Sequence, residues 1–304
     1  MGFVAVGGSE GRRCSVLAWG MALLVQSAAA MAAVTLADDR GQAVALAMPA
    51  QRIVTLAPHL AEIVSAAGAG GKLAGVARFS DFPEAASRLP QVGDSSRVDL
   101  ERIVALKPDL ILAWQSGNQA ADIARLERLG FPVFVTEAAR LDDIPRLLRA
   151  AGALAGTLPE AERAAQKFMN KINALKNKYD ARPPLRVFYE VWHRPLITVN
   201  GRHMISDVIR LCGGRNVFAD AAGLTPVVSE EAVLAARPDV VVGGGSAARF
   251  AAQWRASAAP ALRGLPVFHI DPDIMQRSTP RIVEGARLLC ERLESVRRSR
   301  GARP

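Results

Sequence analysis

The stretch "VDLERIVALKPDLILAW" covers Val98–Trp114, and "VVSEEAVLAARPDVVVGG" covers Val227–Gly244. Laid in register they share an acid (Glu101, Glu231), a Pro-Asp pair (Pro108–Asp109, Pro238–Asp239) and a closing apolar run, each pair of positions 130 residues apart. The first part of each unit has the spacing of a short helix that ends before proline. The apolar run is the pattern of a parallel strand buried on both faces. A helix–strand unit that recurs at a constant offset predicts two halves built to one plan.

Working outward, the first half opens with "VTLADDRGQAVALAMPAQRIVTLAP", a hairpin turning at Asp38–Gly41 and then a strand at Arg52–Leu56. "HLAEIVSAAGAGG" is a helix stopped at Gly68, "KLAGVA" a strand, "ADIARLERLG" a helix, "PVFVTE" a strand and "LDDIPRLLRAAGALAG" a helix. The second half repeats the alternation with "RVFYEVW", "HMISDVIRLCGG", the repeated unit, "FAAQWRASA", "LPVFHID" and a final long helix. Strands alternating with helices predict an α/β fold with mostly parallel sheets. Between the halves lies "TLPEAERAAQKFMNKINALKNKYDARPP". Thr157 and Glu160 have capping-box spacing, Pro159 sits where an early proline is tolerated, and Pro183–Pro184 end the pattern. The spacing predicts one stiff helix about 30 Å long.

The chain has 304 residues, half of them hydrophobic and 22% charged, enough for two cores. Part of the net charge of +9 belongs to the tail "RRSRGARP". No basic patch is interleaved with stacking aromatics, which argues against nucleic-acid binding. Arg12–Arg13, the apolar run "SVLAWGMALLV" and the small residues "QSAAAMAA" form a secretory signal, cut after Ala32 or after Ala30. The apolar run is too short for a membrane span. The expected organisation is a signal peptide over 1–32, an N-terminal α/β lobe over 33–156, the backbone helix over 157–182 and a C-terminal α/β lobe over 183–304. Export to the periplasm removes Cys14 and leaves Cys212 and Cys290, an even number in an oxidising compartment, so the two are expected to pair.

In this order, "SDFP", "DLERIVALKPDLILAW", "LCGGRNVF", "VSEEAVLA" and "STPRI" resemble the helix-backbone (type III) periplasmic binding proteins of ABC importers, most of all their cobalamin-binding members. The resemblance covers the whole mature chain. It implies a binding protein with no cofactor of its own, a monomer when free, whose ligand is a cobalt corrinoid. Haem or an iron–siderophore complex is the alternative within the class. An exported α/β enzyme is the alternative outside it, but beyond the expected signal peptide, whose Gly7–Gly11 happens to fit G-x-S-x-G, the sequence has no G-x-S-x-G, no Walker loop and no catalytic cysteine. The resemblance also implies that Glu101 and Glu231 each meet an arginine of the permease. Both lie in the first turn of a helix, where an acid is favoured and exposed. Glu230 competes with Glu231 for the second role. Cysteines in the "LCGG" helix and the last helix agree with the Cys212–Cys290 pairing.

Open α/β sheets bind ligands at the carboxyl ends of their strands. The candidates there are Phe79, Ser80, Asp81 and Phe82, then Trp114 and Gln115, from the first lobe. From the second they are Trp192, His193 and Arg194, then Gly244, then Gln276 and Arg277. Trp114 and Trp192 suit the flat face of a corrin or porphyrin. The four histidines have no metal-ligand spacing. His59 follows the first strand and is either a helix-start side chain or a ligand to cobalt or haem iron. Two departures from the cobalamin pattern stand out. The loop "GDSSRVD" has no tryptophan, and Phe79 stands where tyrosine is common. One stiff connecting helix also predicts that the lobes hinge only slightly.

Overall fold

A computed structural model describes residues 33–301. The expected signal peptide and Cys14 lie outside the described residues. Strands β1 (Val34–Ala37) and β2 (Ala43–Leu46) form the antiparallel hairpin. Its turn is closed by the Asp38 carboxylate, which accepts hydrogen bonds from the backbone N–H groups of Arg40 and Gln42, around Gly41 at φ +78°.

The first lobe continues with β3 (Ile53–Thr55), α1 (Pro58–Val64), β4 (Leu73–Val76), α2 (Glu84–Ser87), α3 (Leu100–Leu106), β5 (Leu110–Trp114), α4 (Ala120–Arg128), β6 (Val133–Thr136) and α5 (Asp143–Ala155). Its four strands are parallel in the order β4-β3-β5-β6. Next comes α6 (Leu158–Tyr179), whose 22 residues span about 33 Å. The second lobe is β7 (Leu185–Glu190), α7 (Met204–Leu211), β8 (Gly214–Asn216), α8 (Glu230–Ala235), β9 (Val240–Gly243), α9 (Ala247–Arg255), α10 (Pro260–Arg263), β10 (Val267–His269), α11 (Pro272–Met275) and α12 (Ile282–Gly301). Its sheet is parallel in the order β8-β7-β9-β10.

The repeat resolves into α3–β5 and α8–β9. Asp99 and Ser229 cap the two helices, their side chains accepting from the N–H groups of Arg102 and Ala232. The helices end at Lys107 and Arg237, both left-handed at φ +47° and +46°. Asp109 then accepts from the N–H groups of Gln51 and Arg52, just ahead of β3. Asp239 accepts from the Arg186 N–H in β7. The Pro-Asp pair therefore stops a helix and pins the next strand to its neighbour.

The start of α6 differs from the sequence expectation. Thr157 does not cap α6; its hydroxyl donates to the Ala67 carbonyl at 2.7 Å, and Glu160 pairs with Arg163. The cause is a close approach of the wide turn Ser65–Ala69 to α6. A Cβ on Gly68 would lie 2.6 Å from the Glu160 Cβ, so only glycine fits there.

A single apolar cluster runs through both lobes. It joins Leu60, Ile63 and Leu148 of the first to Ile205, Leu289 and Leu293 of the second, with Ala161, Ala165 and Phe168 of α6 between them. Each sheet carries a smaller cluster on its outer face. Cys212, at the end of α7, is bonded to Cys290 of α12, and both are fully buried. The bridge closes a loop with a sequence separation of 78. On chain-entropy grounds that constraint is worth about 4 kcal/mol. Replacing both cysteines by alanine should lower the unfolding free energy by roughly that amount in guanidinium titrations; an unchanged midpoint would contradict this role.

Candidate ligand cleft

Polar contacts join the two lobes at two buried acids: Asp207 of α7, which pairs with Arg140 at 3.1 Å and accepts from the Leu141 N–H at 3.3 Å, and Glu62. Glu62 of α1 is only 3% exposed. Its carboxylate accepts from Arg281 Nε at 2.8 Å and Nη2 at 2.7 Å, and from Arg277 Nη1 at 3.1 Å. Arg277 also donates to Asp81 at 2.6 Å and to the Phe79 carbonyl at 3.4 Å, and pairs with Asp273 at 2.8 Å. The hydrogen bond from Arg277 holds the Asp81 carboxyl below its ordinary range. Both arginines belong to the second lobe, and Glu62, Phe79 and Asp81 to the first. These contacts therefore bridge the two lobes.

The aromatic candidates divide into fixed and free rings. Trp114 ends β5 and is half-buried. Its backbone N–H donates to Asn118 Oδ1 at 2.7 Å, and Asn118 Nδ2 donates to the Leu56 carbonyl at 2.9 Å. Gly117 lies against the indole, where any Cβ would come within 1.8 Å of Cε3. The buried His59 ring meets the indole edge-on at 5.2 Å. Trp192 lies two residues beyond β7 and is 63% exposed; its backbone bridges to Ile197, and its Nε1 donates to the Arg194 carbonyl at 2.9 Å. Phe79 is 66% exposed at φ +67°. Phe82 is also exposed and carries the Arg281 guanidinium 4.2 Å from its ring centre. Ser80 is buried, with no hydrogen-bond partner for its hydroxyl among the described residues. Gln115 and Arg194 are exposed.

On the second-lobe side, Trp192, His193, Gly244, Gln276, Glu190 and Arg249 line a pocket of about 400 Å³. A side chain at Gly244 would press on Pro272 at 2.7 Å and Gln276 at 3.1 Å, so glycine keeps this wall open. Glu190 is buried, accepts from Trp254 Nε1 at 2.7 Å and lies 3.4 Å from His193 Nδ1. Burial raises its pKa, against the lowering effect of those two neighbours. Of the sequence candidates, Trp192, His193, Gly244 and Gln276 share this pocket, while Phe79 and Asp81 meet Arg277 and Phe82 meets Arg281; Glu62, Arg281, Glu190 and Arg249 join them from outside the sequence reading. Glu62 had one sequence signal: an acid in an otherwise apolar helix, one turn after His59.

His59 is buried, and burial followed by the charge of Arg277 lowers its pKa to about 4. The imidazole is therefore neutral and sits beneath Trp114. No group of three or more metal-ligating side chains occurs among the described residues. Glu101 is exposed in the first turn of α3, and Glu231 is exposed in that of α8. Glu230 is partly covered and accepts the Ser257 hydroxyl at 2.7 Å, which leaves Glu231 the freer acid.

The buried His59 and the partly buried His203 set an acid limit on stability. His59 and His203 titrate near 4 in the folded chain because of burial, against about 6.5 when unfolded. The unfolded state binds more protons between those values. Stability is then complete above about pH 6.5 and falls as pH drops toward 4, by up to about 1.4 kcal/mol per pH unit for each histidine. Urea midpoints measured across that interval should fall, and His59→Gln should reduce the slope. A flat profile would contradict the burial argument.

The family model for "Periplasmic binding protein" matches residues 53–273. The chain is 37% identical over 255 residues to the vitamin B12-binding protein of Vibrio parahaemolyticus, covering 83% of this chain and 92% of that one. It is 36% identical over 253 residues to that of Yersinia pestis, covering 82% and 89%. Among solved structures it superimposes on the periplasmic vitamin B12 binding protein BtuF of Vibrio cholerae with a TM-score of 0.75 at 34% identity, over 82% of this chain and 98% of that one. The periplasmic heme-binding protein RhuT from Roseiflexus shares the fold, with a TM-score of 0.71 at 23% identity, over 81% and 98%. Two parallel four-stranded sheets flanked by helices and joined by one long helix are thus found together with this likeness in sequence: the chain belongs to the periplasmic binding protein family.

Proposed function

We propose that this protein is the periplasmic substrate-binding component of an ABC importer, exported by a cleavable signal peptide, and that it captures cobalamin or a related corrinoid. The observation that carries the reading is the likeness at 36–37% identity to vitamin B12-binding proteins over more than four-fifths of the chain. The cleft chemistry supports it. Phe79, Phe82, Trp114 and Trp192 offer flat apolar surface from both lobes to the faces of a macrocycle. Asp81, Arg277, Gln276 and the Glu190–His193 pair offer hydrogen-bonding groups to amide-bearing edges. Ser80, Gln115, Arg194 and Gly244 complete the rim. In this reading His59 acts through the ring of Trp114 and does not reach the metal.

Delivery requires docking on a permease made of two like subunits. Glu101 and Glu231 are the matching exposed acids, one on each lobe. Acids at the rim of an interface set register and encounter rate more than final affinity.

Two variants separate capture from delivery. Trp192→Ala should weaken cyanocobalamin binding at least tenfold by calorimetry, about 1.4 kcal/mol. Glu101→Ala with Glu231→Ala should bind cyanocobalamin normally and lose uptake into permease-containing liposomes. Cyanocobalamin affinity indifferent to Trp192 would remove the cleft assignment. Full uptake by the double glutamate variant would remove the docking assignment.

A further inference from the structure

We infer that Val104 and Leu234 are apolar contact points in the docking surface, one helical turn along from Glu101 and Glu231. The inference rests on the docking role proposed above and extends it to two residues with no assigned part.

The repeat can be emptied of everything the fold explains. Asp99 and Ser229 cap helices. Ile103 and Val233 are fully buried and anchor those helices to their sheets. Lys107 and Arg237 end the helices, where a cation is favoured by the helix dipole. Pro108–Asp109 and Pro238–Asp239 stop the helix and pin the strand. Three exposed pairs remain without a structural task. Ala105 with Ala235 carries only a methyl group on each side. The other two are Glu101 with Glu231, and Val104 with Leu234, which are 46% and 39% exposed.

A single exposed apolar side chain is ordinary on a protein surface. Here the same step of an internal repeat exposes one in each lobe, three residues after an exposed acid. Residues at i and i+3 of a helix share a face, with Cβ atoms about 5–6 Å apart. Each lobe therefore presents the same two-part patch, an acid with an apolar side chain beside it. The complementary partner presents one surface twice, as a two-fold dimer does. Each of its subunits offers a basic side chain and an apolar one with matching spacing. The importer's permease dimer is that partner.

The two parts of the patch act on different rates. Exposed charge pairs steer encounter and depend on salt, whereas buried apolar contacts slow departure. The test uses the mature protein and the permease dimer in lipid nanodiscs, with binding followed by biolayer interferometry. Val104→Ser with Leu234→Ser should raise the dissociation rate at least tenfold, leaving the association rate and cyanocobalamin affinity unchanged. Glu101→Ala with Glu231→Ala should slow association in a salt-dependent way. If the glutamate variant docks normally, the docking reading itself fails, and this inference with it. If the glutamate variant is impaired while the serine variant dissociates like the parent protein, the apolar inference alone is overturned. Loss of cyanocobalamin affinity in the serine variant would also overturn it, by placing these residues in the fold and not in the interface.

Discussion

Glu62 is a carboxylate without access to water, held by two arginines that lie more than 200 residues further along the chain. Such a cluster adds little net stability, because taking three charges out of water offsets most of their attraction. Its importance is geometric. Breaking it leaves a buried charge unpaired, so the arrangement that satisfies it is strongly preferred over nearby ones. That arrangement fixes how close the rim at Phe79–Phe82 comes to the rim at Gln276–Arg277. The apolar cluster threaded past α6 holds the same two lobes from below. Between them, a helix spine and an ion cluster tie the two lobes together at separate places.

Within that frame the cleft is divided between rigid and adaptable surface. Trp114 is tied by its backbone, by Gly117 and by the buried His59, so one wall is set before any ligand arrives. Trp192, Phe79 and Phe82 are exposed and lightly held. In the proposed reading these are the rings that adjust to the edges of a macrocycle.

Much of this was legible in the sequence, and the reasons are specific. The two lobes followed from period and alternation, and from a helix–strand unit displaced by a constant 130 residues. The Cys212–Cys290 bridge followed from an even count in an exported chain. What escaped was anything decided by tertiary approach. The Thr157 hydroxyl turned to Ala67 because the neighbouring turn at Gly68 comes too close to α6 for an ordinary cap. Strand β8 has three residues, too few for a period to register. The partners of Glu62 lie in a different lobe, and no local pattern links "HLAEIV" to "STPRI". Trp192 reads as the end of a strand and proves to lie two residues beyond it, in a loop that leaves its ring in solvent.

The central claim is that this cleft selects a corrinoid over other flat metal chelates. Calorimetric titration of the mature protein with cyanocobalamin, dicyanocobinamide and haemin tests it most directly. The account predicts tight one-to-one binding of cyanocobalamin and much weaker binding of haemin, with cobinamide showing how much the lower nucleotide contributes. Tight binding of haemin alone would leave the family and the fold intact and contradict the assignment of the ligand.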